Sequence, residues 1–226
     1  MKPSQLAFSE VVEAGFRSHE KLMLRYMAAN VAIYRGFADI VKPSLSDSEQ
    51  VFTRVAFAIL SANAPFEDSV SALHVVVKHK GNTQGRALAP YRMVPAKATY
   101  CNRLWEICQV EHEALLKQES ESWHEYRMRL KWLVGGLGMA KASFAACLLY
   151  PLEADLACVD TWIQKVFLGH TGFKSLGLRD YLTVEAKIRT YANCFGVSTF
   201  ITQWLIWDHA RGGTANSHAI FPGSHK

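Results

Sequence analysis

Three glycines, Gly135, Gly136 and Gly138, stand between two helix-patterned segments, Trp123 to Leu133 and Ala140 to Tyr150. Glycine enters backbone conformations that other residues avoid, so the run predicts a sharp reversal of the chain. The N–H groups of such a turn point outward at the start of the next helix, which suits an anion such as a phosphate. Soon afterwards comes Cys158-Val-Asp-Thr-Trp-Ile-Gln-Lys-Val-Phe167, with one carboxylate, Asp160, ahead of another helical stretch. An anion-gripping turn followed by a single carboxylate constrains both the fold and the chemistry.

Elsewhere the apolar residues recur at helical spacing. Glu20 to Val41 carries Leu24, Met27, Val31, Tyr34 and Phe37 and stops at Pro43. Ser46-Asp-Ser-Glu49 predicts a capping box, followed by a buried face of Phe52, Val55, Ala56, Ile59 and Leu60 that ends at Asn63-Ala-Pro65. A third helix is expected from Glu67 to His79, with Glu67 and Asp68 in its first turn, and Lys80 to Arg86 reads as a flexible polar link. Further helices are expected around Tyr100 to Cys108 and over Asp160 to Leu168, Leu182 to Cys194 and Thr199 to Arg211. Alternating strand-like stretches are scarce and no fixed period appears. The fold class is all-α.

An apolar content of 50% over 226 residues excludes a disordered chain. The net charge of +5 permits an acidic partner without requiring one. Five scattered cysteines (Cys101, Cys108, Cys147, Cys158, Cys194) form no paired CxxC pattern, which argues against a disulfide framework, a zinc site or an iron–sulfur cluster. The N-terminus lacks the apolar core of a signal peptide, and the longest apolar patch, Phe144 to Tyr150, is too short to span a bilayer. A soluble intracellular protein is expected, cytoplasmic or nucleoid-associated.

The order helix, glycine turn, helix, aspartate resembles the helix-hairpin-helix DNA glycosylase superfamily, which includes endonuclease III. Ala58-Ile-Leu-Ser-Ala-Asn-Ala-Pro65 looks like the segment that opens the glycosylase core, and Tyr91-Arg-Met-Val-Pro-Ala-Lys-Ala98 like the turn before the next helix. Val134 to Gly138 resembles the hairpin, Val159-Asp-Thr161 the catalytic aspartate turn, and Gln203 to Gly212 the closing helix. The resemblance covers roughly residues 48 to 212. It implies two lobes, one from 48–157 and one from 1–47 with 158–226. It also implies an enzyme that binds double-stranded DNA, flips a damaged, modified or mismatched base and cleaves its N-glycosidic bond, with no cofactor and no membrane partner. Asp160 would be the catalytic carboxylate, with Asn63, Trp162 and Ala140 at the base pocket or the gap in the duplex. Gly135, Gly136, Leu137, Gly138, Lys141, Lys165 and Arg211 would hold the DNA backbone. No metal is implied beyond a monovalent ion on the hairpin backbone.

The sequence departs from the family's bifunctional members. Their nucleophilic lysine falls two residues after the second hairpin glycine, where this chain has Ala140; Lys141 comes one residue late, a rotation of about 100° on a helix. That spacing predicts a monofunctional glycosylase, with Lys141 turned toward phosphate or solvent. Trp162 replaces a common His, Gly135 replaces a common Pro, and the four-cysteine cluster is missing. Plainer readings stand beside these: Asp160 as a helix cap, Asn63 in an Asx turn, Trp204 and Trp207 as core, His209 as a packed histidine. The altered pocket is also compatible with a bacteriophage thymine-hypermodification enzyme that joins an amino acid or amine to pyrophosphorylated 5-hydroxymethyluracil in DNA. A third possibility is a non-catalytic reader of distorted DNA.

Overall fold

The computed structural model describes residues 18–169 and 176–212. Its helices are α1 (Ser18–Tyr34), α2 (Phe37–Val41), α3 (Ser48–Leu60), α4 (Phe66–Lys78), α5 (Gly85–Leu88), α6 (Pro95–Glu111), α7 (Trp123–Leu133), α8 (Met139–Leu149), α9 (Thr161–Leu168), α10 (Leu178–Phe195) and α11 (Thr199–Ala210). Single 3-10 turns occur at Ala89–Tyr91 and His112–Leu115. No strand occurs among the described residues, and no helix there is long and apolar enough to cross a membrane.

Three local expectations are revised. The helix predicted over Glu20 to Val41 breaks at Arg35 and Gly36, where glycine weakens a helix. The break turns Phe37 onto Phe200 and Trp204, at ring-centroid distances of 5.7 and 5.6 Å. Helix α3 is capped by Asp47 rather than through a Ser46–Glu49 box: Asp47 Oδ1 accepts from the amides of Glu49 and Gln50, while the Ser46 hydroxyl pairs with Ser44. The true capping box is Ser122 with Glu125 at the start of α7. The polar link over Lys80 to Arg86 is anchored, because Asn102 bonds both the amide and the carbonyl of Thr83.

Packing sorts the helices into two groups. Helix α3 contacts α4, α6 and α8, with α7 against α8; helix α11 contacts α1, α2, α9 and α10. One buried apolar cluster runs through both groups. Helix α8 is buried from Ala142 to Leu149, as expected of a helix apolar all round. Four cysteines are buried thiols and Cys194 is exposed.

Between α8 and α9 the chain crosses the interior as irregular backbone, buried from residue 156 to 159, with no strand beside it. Buried backbone polar groups must find partners, and here side chains supply them. The Ala157 amide donates to Glu185 Oε1 at 2.9 Å and its carbonyl accepts from the Tyr181 hydroxyl at 2.6 Å. The Cys158 amide donates to Gln203 Oε1, the Val159 amide donates to the Tyr181 hydroxyl, and the Val159 carbonyl accepts from Gln164. Glu185 is itself paired with the buried Arg127 at 2.7 Å. Side chains from α9, α10 and α11 thus fix the segment that delivers Asp160.

Candidate active site

Asp160 caps α9, its Oδ1 accepting from the amides of Trp162 at 3.0 Å and Ile163 at 3.1 Å. The cap uses one carboxylate oxygen and holds the group rigid, leaving Oδ2 outside the cap. Burial raises the Asp160 pKa; the Lys141 ammonium opposes that rise most strongly, helped by the two capping amides and the Trp207 indole.

Asp160 opens on a cavity of about 660 Å³ bounded by both helix groups. Phe66, Phe144, Trp204 and Trp207 form an aromatic wall, with Phe66 and Trp207 at 5.4 Å and Trp204 edge-on to Trp207 at 5.2 Å. Trp204 is both core and wall, being only 4% exposed.

Lys141 lines this cavity, its Nζ 5.2 Å from the Phe144 ring centroid. Ala140 packs against the apolar core instead and is not among the lining residues. This corrects the expectation that Ala140 faces the pocket while Lys141 faces phosphate or solvent. Helix α8 begins at Met139 with Gly138 as its cap, and that phase turns position 141 inward.

The hairpin turn depends on Tyr100, a residue the sequence did not single out. A Cβ at Gly135 would lie 2.8 Å from the Tyr100 ring and one at Gly136 2.6 Å, and Gly136 has φ +85°. Leu137 was expected to hold DNA, yet its side chain is buried and its amide donates to the Val134 carbonyl; it anchors the turn from inside. Gly138 is exposed, has open space where a Cβ would stand, and no side chain caps the helix it starts. The first amides of α8 therefore have no partner within the helix. No group of His, Cys, Asp or Glu among the described residues is arranged to hold a metal ion.

No known family profile matches the chain, and no curated protein matches it. Solved structures do. An 8-oxoguanine glycosylase/lyase of Methanocaldococcus jannaschii, solved with a 15mer DNA containing 8-oxoguanine, superposes with a TM-score of 0.69 at 18% identity, over 84% of this chain and 98% of that one. The 8-oxoguanine DNA glycosylase of Thermotoga maritima gives 0.68 at 19% identity, over 86% and 98%. A second structure of the Methanocaldococcus jannaschii 8-oxoguanine DNA glycosylase gives 0.63 at 16% identity, over 94% and 98%. The fold is that of the helix-hairpin-helix DNA glycosylases.

Within this glycosylase fold the remaining candidates sit as follows. Trp162 lines the cavity, 39% exposed, with Lys165 Nζ 5.4 Å from its ring centroid. Arg211, expected on a phosphate, is engaged within the protein: it pairs with Glu67 at 3.0 Å and lies 4.3 Å from the Trp207 ring centroid. Asp68 pairs with Arg92. The cap position of α4 is Pro65, and both acids lie in its first turn, where the Glu67 carboxylate bonds its own backbone amide. Asn63 is exposed at the cavity, has φ 52° and makes no Asx-turn hydrogen bond among the described residues. His209 is half-buried against Tyr26, a packed histidine whose burial lowers its pKa.

Sequence reasoning missed Lys97. It is buried, with Nζ donating to the carbonyls of Leu60 at 2.7 Å and Ala62 at 2.6 Å. The signal was present, since Lys97 continues the buried stripe of Cys101, Leu104 and Cys108 along α6.

Proposed function

We propose that this chain is a DNA-acting enzyme that draws one damaged, modified or mispaired nucleotide into the aromatic cavity and breaks its N-glycosidic bond. The observation that carries this reading is that Asp160 and Lys141 open on one aromatic-walled cavity, with Lys141 in the first turn of a helix that Gly138 starts without a side-chain cap. Likeness in fold to a glycosylase/lyase, and to a structure that contains DNA, supports it.

In this reading the N-terminus of α8 grips a phosphate of double-stranded DNA, using both its free amides and the helix dipole. In the same reading the hairpin backbone would hold a monovalent cation, and no chemical step runs through it. Flipping a base costs a few kcal/mol, least for a damaged or mispaired one, and stacking on Phe66, Phe144 and Trp207 offsets that cost. The Asp160 carboxylate stabilises positive charge at the anomeric carbon as the C–N bond lengthens. Lys141 gives one ammonium proton to the departing base, which leaves with the bonding electrons, and the amine so freed bonds to that carbon. Water takes that place in the monofunctional variant that the spacing of Ala140 suggested.

Mass spectrometry of the free bases and nucleosides from duplexes bearing uracil, mispaired thymine, oxidised or alkylated bases tests the proposal. Wild-type protein should release a free base that Asp160→Asn does not. A second reading, transfer onto a base that stays attached to DNA, is favoured by the size of the cavity and by Lys165 on its wall, which suit an enlarged anionic substituent on the base. It predicts a heavier nucleoside, and no free base, from 5-hydroxymethyluracil pyrophosphate supplied with an amino acid. Neither product, with DNA binding intact, would leave a reader of distorted DNA.

A further inference from the structure

Lys97 is a cation in the interior, and its hydrogen-bonding partners include no carboxylate. Two of its three donors reach backbone carbonyls, Leu60 O and Ala62 O, and Nζ also approaches Met93 Sδ at 3.3 Å. A lysine this buried is uncommon without a strong reason, because desolvating the ammonium is costly. Burial and the nearby Lys141 pull its pKa down to about 8.

The two carbonyls define what Lys97 does. Leu60 is the last residue of α3, where carbonyls lose their partners within the helix and favour a cation. Ala62 lies in the turn that follows, immediately before Asn63. Asn63 is left-handed, a conformation that asparagine accepts more readily than other non-glycine residues, and it is exposed at the cavity. Tying both carbonyls to one ammonium on α6 fixes the path of the turn on each side of residue 61. Lys97 therefore connects α6 to the turn that lines the same cavity as Asp160.

We propose that Lys97 is a positioning residue, which holds the turn at residues 61–64 so that Asn63 is presented at the mouth of the cavity to the duplex left behind by a flipped nucleotide. This rests on the DNA-acting reading for its purpose, while the structural link between Lys97 and the turn stands independently. Lys97 touches no reacting atom; its effect passes through Asn63.

The test compares Lys97→Met, which keeps the apolar stem and removes the donors, with Lys97→Arg, which keeps charge and donors. In the free full-length protein, hydrogen exchange at the amides of residues 61–64 should be about tenfold faster in Lys97→Met, the equivalent of one lost hydrogen bond, and closer to wild type in Lys97→Arg. Flipping is then read from the fluorescence of 2-aminopurine in a duplex. Lys97→Met and Asn63→Ala should each lower the signal, and the double variant should be no worse than Asn63→Ala, because both act through one group. Unchanged exchange at residues 61–64 would overturn the link, and losses that multiply in the double variant would overturn the route through Asn63. Altered exchange with no flipping signal even in wild type would refute the DNA-acting purpose and confine Lys97 to a structural role.

Discussion

Lys141 lies close enough to Asp160 that its charge is the strongest influence opposing the burial of that carboxylate. The two residues come from different helices, α8 and α9, and meet at one cavity. An amine beside a carboxylate is the pairing that attack on a sugar requires. Borohydride reduction should therefore trap a covalent complex of wild-type protein with a substrate duplex, and Lys141→Ala should abolish it. Base release without trapping would assign the nucleophile to water and restore the monofunctional reading.

The same pair sets a pH dependence. Asp160 acts as the anion, and its pKa is raised by burial and held down by Lys141. Activity should rise with pH through the raised Asp160 pKa. In Lys141→Gln, residual turnover should show its acid limb at higher pH, because the opposing charge is gone. A pH–rate profile in which the limb stays put or moves down would contradict the coupling.

Asp160 also carries a stability consequence. A carboxyl whose folded pKa is above its unfolded value contributes stability that is present at low pH and lost as pH rises through the folded value. Asparagine caps helices as well as aspartate does and lacks the charge. Asp160→Asn should therefore be more stable than wild type at pH 7, with the advantage disappearing on acidification below the unfolded carboxyl range. Denaturation midpoints across pH measure this, and a variant less stable at pH 7 would refute it.

The hairpin separates two kinds of glycine requirement. Gly135 is excluded from bearing a side chain by the Tyr100 ring alone, whereas Gly136 is constrained by that ring and by φ +85°. Gly135→Ala should regain DNA affinity when combined with Tyr100→Ala. Gly136→Ala should not, because the left-handed conformation still costs about 1–2 kcal/mol. Affinity for a duplex at fixed salt, measured for the four variants, checks the difference.

The contrast between Asp160 and Lys141 shows what the sequence could reveal. Glycine spacing and an aspartate before a helix are local signals, so the hairpin and the Asp160 cap were legible. Whether Ala140 or Lys141 faces the cavity depends on where α8 starts, and a one-residue difference swings a side chain by about 100°. Capping by Asp47 instead of Ser46 reflects the same sensitivity. Lys97 was passed over despite its place on the buried stripe of α6, because a lysine reads as solvent-facing until its acceptors, Leu60 and Ala62, are known. The partners of Arg211, Glu67 and Trp207, were hidden for a similar reason, since they come from distant and neighbouring turns alike.

The irregular segment before Asp160 had no sequence signature, yet it places the chemistry. Its Ala157 amide bonds Glu185, and Glu185 bonds Arg127 from α7, with both charged side chains almost fully buried. Removing one partner strands the other charge in the interior, so Arg127→Met should destabilise the protein by about 3–5 kcal/mol. Replacing the pair together with Arg127→Met and Glu185→Leu should recover part of that stability, because no lone charge remains. Activity should not recover with it, since the Ala157 amide has lost its acceptor and the carboxylate three residues on is no longer held. Stability and turnover returning together in the double variant would show that the network serves packing alone.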